Sequence, residues 1–216
     1  MTRRWLVEAA APLVAVSLLL GAVRALGRLA ADDLRQRDRF ATSFERIACE
    51  PPAPPVGPQR RFLREVQYES ELPDRLDRLD PGLASRLRSA FRRHPWVEEV
   101  ERVEVRTRGP IRVRMRYRTP ALAVRDGGRL RVLDGNGVVL PRAAEAAQVP
   151  SYRGKATRPA GRAGTAWEDE QVKAAARAAA LLRPQWQRLR LKEVECDGGV
   201  IFLWAEGGTR TRWERP

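Results

Sequence analysis

His94–Ala121, HPWVEEVERVEVRTRGPIRVRMRYRTPA, is the stretch from which the fold is read. His94-Pro95-Trp96-Val97 closes a helical pattern, because the residue before a proline is pushed out of the helical region. Two alternating segments follow, separated by Arg108-Gly109-Pro110. Val103 and Val105 share one face of the first. Ile111, Val113, Met115 and Tyr117 share one face of the second. Period-2 alternation marks a strand with one buried and one solvated face. A register that sets Val105 opposite Ile111 or Val113 also sets Glu104 opposite Arg112 or Arg114, so apolar meets apolar and acid meets base. The chemistry here is that of packing and surface ion pairs, with no nucleophile or metal-ligand pattern.

Upstream, Leu83, Leu87 and Phe91 recur at helical spacing, and Pro81 opens that helix. Leu72, Leu76 and Leu79 are also in helical phase, and Phe62–Tyr68 reads as a short strand. The expected order is therefore β-α-α-β-β over residues 60–119. Downstream, residues 120–216 read as a mixed, β-rich unit with one helix. Asp126-Gly127-Gly128, Gly135-Asn136-Gly137, Asp197-Gly198-Gly199 and Glu206-Gly207-Gly208 supply hairpin turns. Glu168–Arg183 is an Ala-rich helix halted by Pro184. Trp186–Cys196, Val200–Ala205 and Thr209–Trp213 form a closing meander. Residues 155–166, KATRPAGRAGTA, read as a flexible loop.

The first quarter has a different composition. Arg3 and Arg4 precede an apolar run from Trp5 to Val23 interrupted only by Glu8, and Leu26 can extend it. A membrane-spanning helix needs about 20 such residues. The reading is a cytoplasmic tail at 1–4, a transmembrane anchor at 5–26, and a charged stalk with a Pro-rich spacer at 27–59. No clean small-x-small cleavage site follows the run. Arg24, Arg28, Arg35, Arg37 and Arg39 outnumber Arg3 and Arg4, which favours the reverse orientation. A short amino-terminal tail before a large domain favours the amino terminus inside, and that orientation is adopted. The bulk of the chain is then extracytoplasmic, beyond a single pass of the inner membrane.

The formal net charge is +14. It suits attraction to nucleic acid, a phospholipid surface or an acidic polymer, but its spread along the chain, interleaved with Glu, favours an arginine-rich solvated surface. No nucleic-acid partner, small-molecule substrate, cofactor or metal is expected. His94 is the sole histidine, and Cys49 and Cys196 have no metal spacing. An oxidising compartment would permit those two cysteines to pair, but their settings favour separate thiols. Neither Gly127-Gly128 nor Gly135-Asn136-Gly137 continues into a phosphate-binding loop.

With these elements in place the chain resembles a POTRA domain and, more narrowly, the FtsQ/DivIB cell-division proteins. The resemblance rests on His94-Pro95-Trp96-Val97 after the second helix and on Arg118-Thr119-Pro120-Ala121 at the junction of two units. Leu133-Asp134-Gly135-Asn136-Gly137-Val138-Val139-Leu140 and Val149-Pro150-Ser151-Tyr152-Arg153-Gly154 extend it. Tyr117 stands where the family carries Glu, and the Pro-rich spacer is long, which marks a divergent member. The resemblance implies a non-enzymatic scaffold of the division septum. It implies that division proteins similar to FtsB and FtsL dock by strand addition near the carboxy-terminal strands. The candidate residues are Trp204, Thr209, Arg210, Thr211, Arg212 and Trp213. The alternative is a binder of an anionic polymer or surface through Arg112, Arg114, Arg116 and Arg118. An outer-membrane assembly factor is disfavoured, since too little chain follows the hairpin for a membrane barrel.

Overall fold

A computed structural model describes residues 19–24, 40–52, 58–142, 144 and 148–213. The architecture is α+β with mixed sheets. In chain order the strands and helices are β1 (Ala41–Ser43), β2 (Ala48–Glu50), α1 (Gln59–Ser70), β3 (Arg75–Asp77), α2 (Leu83–Arg93), β4 (Val97–Glu104) and β5 (Arg112–Tyr117). The second half holds β6 (Pro120–Asp126), β7 (Arg129–Asp134), β8 (Ser151–Tyr152), α3 (Glu170–Leu182), α4 (Trp186–Leu189), β9 (Leu191–Asp197), β10 (Val200–Ala205) and β11 (Arg210–Trp213).

Among the described residues the transmembrane helix of the expected architecture is not found. Residues 19–24 form a six-residue helical segment, and no helix among the described residues is long and apolar enough to cross a membrane. The rest of the 5–26 run and residues 27–39 lie outside the described residues.

Three local corrections follow. Phe62–Tyr68 is helical, not extended: Phe62, Leu63 and Val66 are the buried residues, an i, i+1, i+4 stripe, and Tyr68 points into solvent. Leu72–Leu79 is not a helix. Only Leu76 is buried there, in β3, and β3 pairs with β1. The first strand of the small sheet is β2, inside the segment read as stalk and spacer. Ile47 and Cys49 face the core, and three residues are too few for a period to show.

The first unit is a three-stranded sheet of order β2-β5-β4, with β2 parallel and β4 antiparallel to β5. The hairpin register sets Val103 opposite Val113 and Glu104 opposite Arg112. Val105 lies one residue past the end of β4, and the register at Glu104 and Arg112 continues to set it opposite Ile111; the two irregularities lie at the other end of the pairing, between Val97 and Arg102. Helices α1 and α2 cover one face, where Phe62, Leu87, Phe91, Trp96, Val113 and Met115 pack into one cluster.

The second unit is a six-stranded sheet of order β11-β10-β9-β8-β6-β7. Helix α3 lies on one face, burying Val172, Ala175, Ala176 and Ala179 against Leu122, Val194 and Trp167. The α-helix ends at Leu182, just before Pro184, which sits in a single 3-10 turn, Arg183–Gln185, that leads into α4. Residues 155–166 are tied down: Thr157 bonds to Asp169, Arg158 O accepts from Trp167 Nε1 at 2.8 Å, and Gly164 N donates to Val139 O at 2.8 Å.

The units share a boundary. Val132, Leu140 and Ala144 of the second pack into the core of the first. Arg118, mostly buried, donates from Nη1 to buried Asp134 at 2.7 Å. Asp134 Oδ1 also accepts from the backbone N–H groups of Asn136 and Val138. Asn136 Nδ2 reaches Glu98 at 3.3 Å. These bonds supply a polar contact between the two units at their junction.

Candidate functional site

The candidate edge is built by the last hairpin. Gly207 and Gly208, both at positive φ, make the turn that returns β11 onto β10. Ala205 N donates to Thr209 O at 3.0 Å, and the register pairs Leu203 with Thr211 and Trp204 with Arg210. Bonded pairs alternate along an antiparallel ladder. Counting from Ala205 and Thr209, Thr211 and Trp213 turn their backbone groups toward β10, while Arg210 turns its own outward. Among the described residues β11 has a neighbour on one side only. Such an edge is a template for an incoming strand.

The two faces of this edge differ. Trp213 packs against the helix-covered core and Thr211 shares its face. Arg210 and Arg212 share the other face with Phe202 and Trp204. Arg210 lies 3.6 Å from the Phe202 ring centroid and 3.4 Å from Glu195. Trp204 Nε1 donates to Glu195 at 2.8 Å, and Arg153 lies 3.9 Å over the Trp204 ring while pairing with Glu193. The Trp204 ring is thereby held between fixed charges, its indole N–H satisfied. The six candidate residues come from two adjacent strands and the turn between them, which is why sequence proximity was enough to group them.

The alternative arginine face is already neutralised. Arg112 and Arg114 lie 3.9 and 3.2 Å from Glu50. Arg116 bonds Glu98 and Glu99 at 3.0 and 2.7 Å, and these bonds raise its pKa above the usual arginine value. Arg118 is committed to Asp134. Glu50 is the partner that the hairpin alone does not reveal, because it arrives from β2.

Neither cysteine is disulfide-bonded, and both are buried. Burial pushes the Cys49 thiol up to about 12, partly offset by its hydrogen bond with Tyr117. A thiol so protonated is a poor nucleophile. His94 Nε2 sits 3.3 Å from Glu65, its Nδ1 accepts from Trp96 N, and its ring meets Phe62 edge to face. Pro95 follows it, Val97 N donates to its carbonyl oxygen at 2.9 Å, and Pro120 begins β6; these signature residues serve the corner and the junction. Among the described residues no group of three His, Cys, Asp or Glu could hold a metal ion.

No protein-family model matches the chain, and no curated protein matches it significantly in sequence.

Proposed function

We propose that the protein is a non-enzymatic scaffold of the bacterial division machinery, similar to FtsQ, that works outside the cytoplasm. It captures extended segments of partner division proteins, of the FtsB and FtsL kind, on the edge of β11. One observation carries this reading: β11 ends the sheet order with outward-facing backbone groups beside a pre-arranged Arg–aromatic face. The sequence resemblance supplies the biological setting. The strand-face arginines do not favour the anionic-polymer alternative, since their charges are met by Glu50, Glu98, Glu99 and Asp134.

Arg210→Pro removes an outward N–H and leaves the inward bonds at Thr211, while Arg210→Thr removes only the side chain. Loss of one main-chain bond of about 1 kcal/mol, plus the local ring clash, predicts at least about fivefold weaker capture by the proline variant. Pull-down with the extracytoplasmic segments of the candidate partners measures this. Threonine at 210 keeps a strand-competent backbone and should bind far better than proline. Full binding by the proline variant, and again after deletion of 209–213, would remove the basis for strand addition.

A further inference from the structure

The chain from Glu170 to Glu193 contains Lys173, Arg177, Arg183, Arg188, Arg190 and Lys192 and no carboxylate between its ends. It folds into α3, the 3-10 turn and α4, which together make a projecting corner. Every residue from Arg183 to Arg190 is exposed except half-buried Trp186. Among the described residues from 40 to 213 the exposed large apolar side chains are Tyr68, Leu181 and Leu189, and two of these three belong to this corner. Leu181 follows Arg177 by one helical turn on the exposed ridge of α3. Trp186 is anchored by its indole N–H to Ala179 O at 2.8 Å, with the Arg183 guanidinium 5.9 Å from its ring. Lys173 pairs with Glu170 and Lys192 with Glu206, whereas Arg177, Arg188 and Arg190 make no ion pair among the described residues. A groove open to solvent runs beside the corner between Val149, Pro150, Trp186 and Leu191, rimmed by Arg190 and Lys192.

We propose that this corner, residues 177–192, is a contact surface for an anionic phospholipid bilayer. Arginines on a segment with no carboxylate of its own, beside a Glu206 already matched by Lys192, are drawn to the negative potential of anionic headgroups. Exposed leucines and a tryptophan beside them have a place to go in the headgroup boundary, which is the composition of an interfacial surface. A nucleic-acid backbone would satisfy the arginines but gives Leu181 and Leu189 nothing apolar to enter. The strand-face arginines lack both features: they are paired with glutamates, and no large exposed apolar side chain lies on β5. The inference is independent of what β11 binds. It places the second unit against a bilayer rather than standing clear of one.

The test uses the full chain with Gln187→Cys carrying an environment-sensitive fluorophore; Cys49 and Cys196 are buried and leave position 187 as the reactive thiol. A parallel label at Tyr68→Cys reports on the far unit. Vesicles are phosphatidylcholine with or without phosphatidylglycerol. The expected result is a blue shift at position 187 with the anionic vesicles only, reversed by high salt, and absent at position 68. Arg188→Glu with Arg190→Glu weakens the apparent vesicle affinity by about tenfold or more. Leu181→Ser with Leu189→Ser weakens it several-fold. No shift at position 187, an equal shift at position 68, or indifference to the charge reversal overturns the proposal. So does an equal response to a short DNA duplex together with indifference to the serine pair, which would make the corner a general polyanion surface.

Discussion

His94 shows how one side chain ties the corner of the first unit together. Its Nδ1 accepts from Trp96 N–H, and its Nε2 faces Glu65 from α1. Burial lowers its pKa, and Glu69 and Glu65 only partly restore it. The neutral ring is therefore the native form. Below the ordinary histidine value of about 6.5 the unfolded chain takes up a proton that the folded chain resists. Stability is complete above that value and falls as pH drops toward the lowered folded value, with a limiting slope of about 1.4 kcal/mol per pH unit. Urea midpoints at about pH 7.5 and about pH 5.5, above the carboxylate range, should differ in this direction. His94→Gln should flatten the difference. An unchanged midpoint in the wild-type chain would show that His94 titrates normally. The motif His94-Pro95-Trp96 was legible as a corner, but the Glu65 partner was hidden while its segment was read as a strand.

At the scale of elements, α3 and the loop before it depend on Asp169. Its side chain caps the helix, accepting from Gln171 N and Val172 N at 3.0 and 3.2 Å, and takes two more bonds from Thr157 at 2.7 Å. Burial pushes this carboxyl up, but the bonds from Thr157, Val172 and Gln171 together hold its pKa below the usual aspartate value. Asp169→Ala removes a cap and a loop tether, an expected loss of about 2 kcal/mol. Limited proteolysis should then cut within 155–166 well before the wild-type chain is cut there. Equal resistance would mean that the Trp167 and Val139 contacts hold the loop without Asp169. Elements that carried several buried positions, such as α2 and the β4–β5 hairpin, left a period in the sequence. Elements that carried one or two, such as β2, β3 and β8, did not. In α1 the misleading residue was Tyr68, which is 87% exposed and adds a false beat to the stripe of Phe62, Leu63 and Val66. The carboxy-terminal edge was legible for a different reason: its Gly-Gly turn is a local signal and its strands are neighbours in sequence.

Across the whole molecule, the boundary between units lies at β7, where Val132 enters the first core, and β11 lies five strand spacings away. At about 4.8 Å per spacing the proposed docking edge stands about 24 Å from the boundary. Partner capture there need not disturb Arg118 and Asp134. The small sheet has a consequence of another kind. Strand β2 joins β5 in parallel, and the Glu50–Arg114 pair spans 64 residues of chain, whereas β4 and β5 are joined by a short connection. Closing a long loop costs entropy before its contacts repay it, so distant pairings tend to form after local ones. The β4–β5 hairpin with α2 should thus be structured at the folding barrier, with β2 still loose. Stopped-flow refolding can see this: Val113→Ala should slow folding, whereas Cys49→Ala should leave the folding rate near wild type and speed unfolding. Equal slowing of folding by both would place β2 in the nucleus. In time as well as in space, the small sheet would then be a hairpin to which a detached third strand is added late.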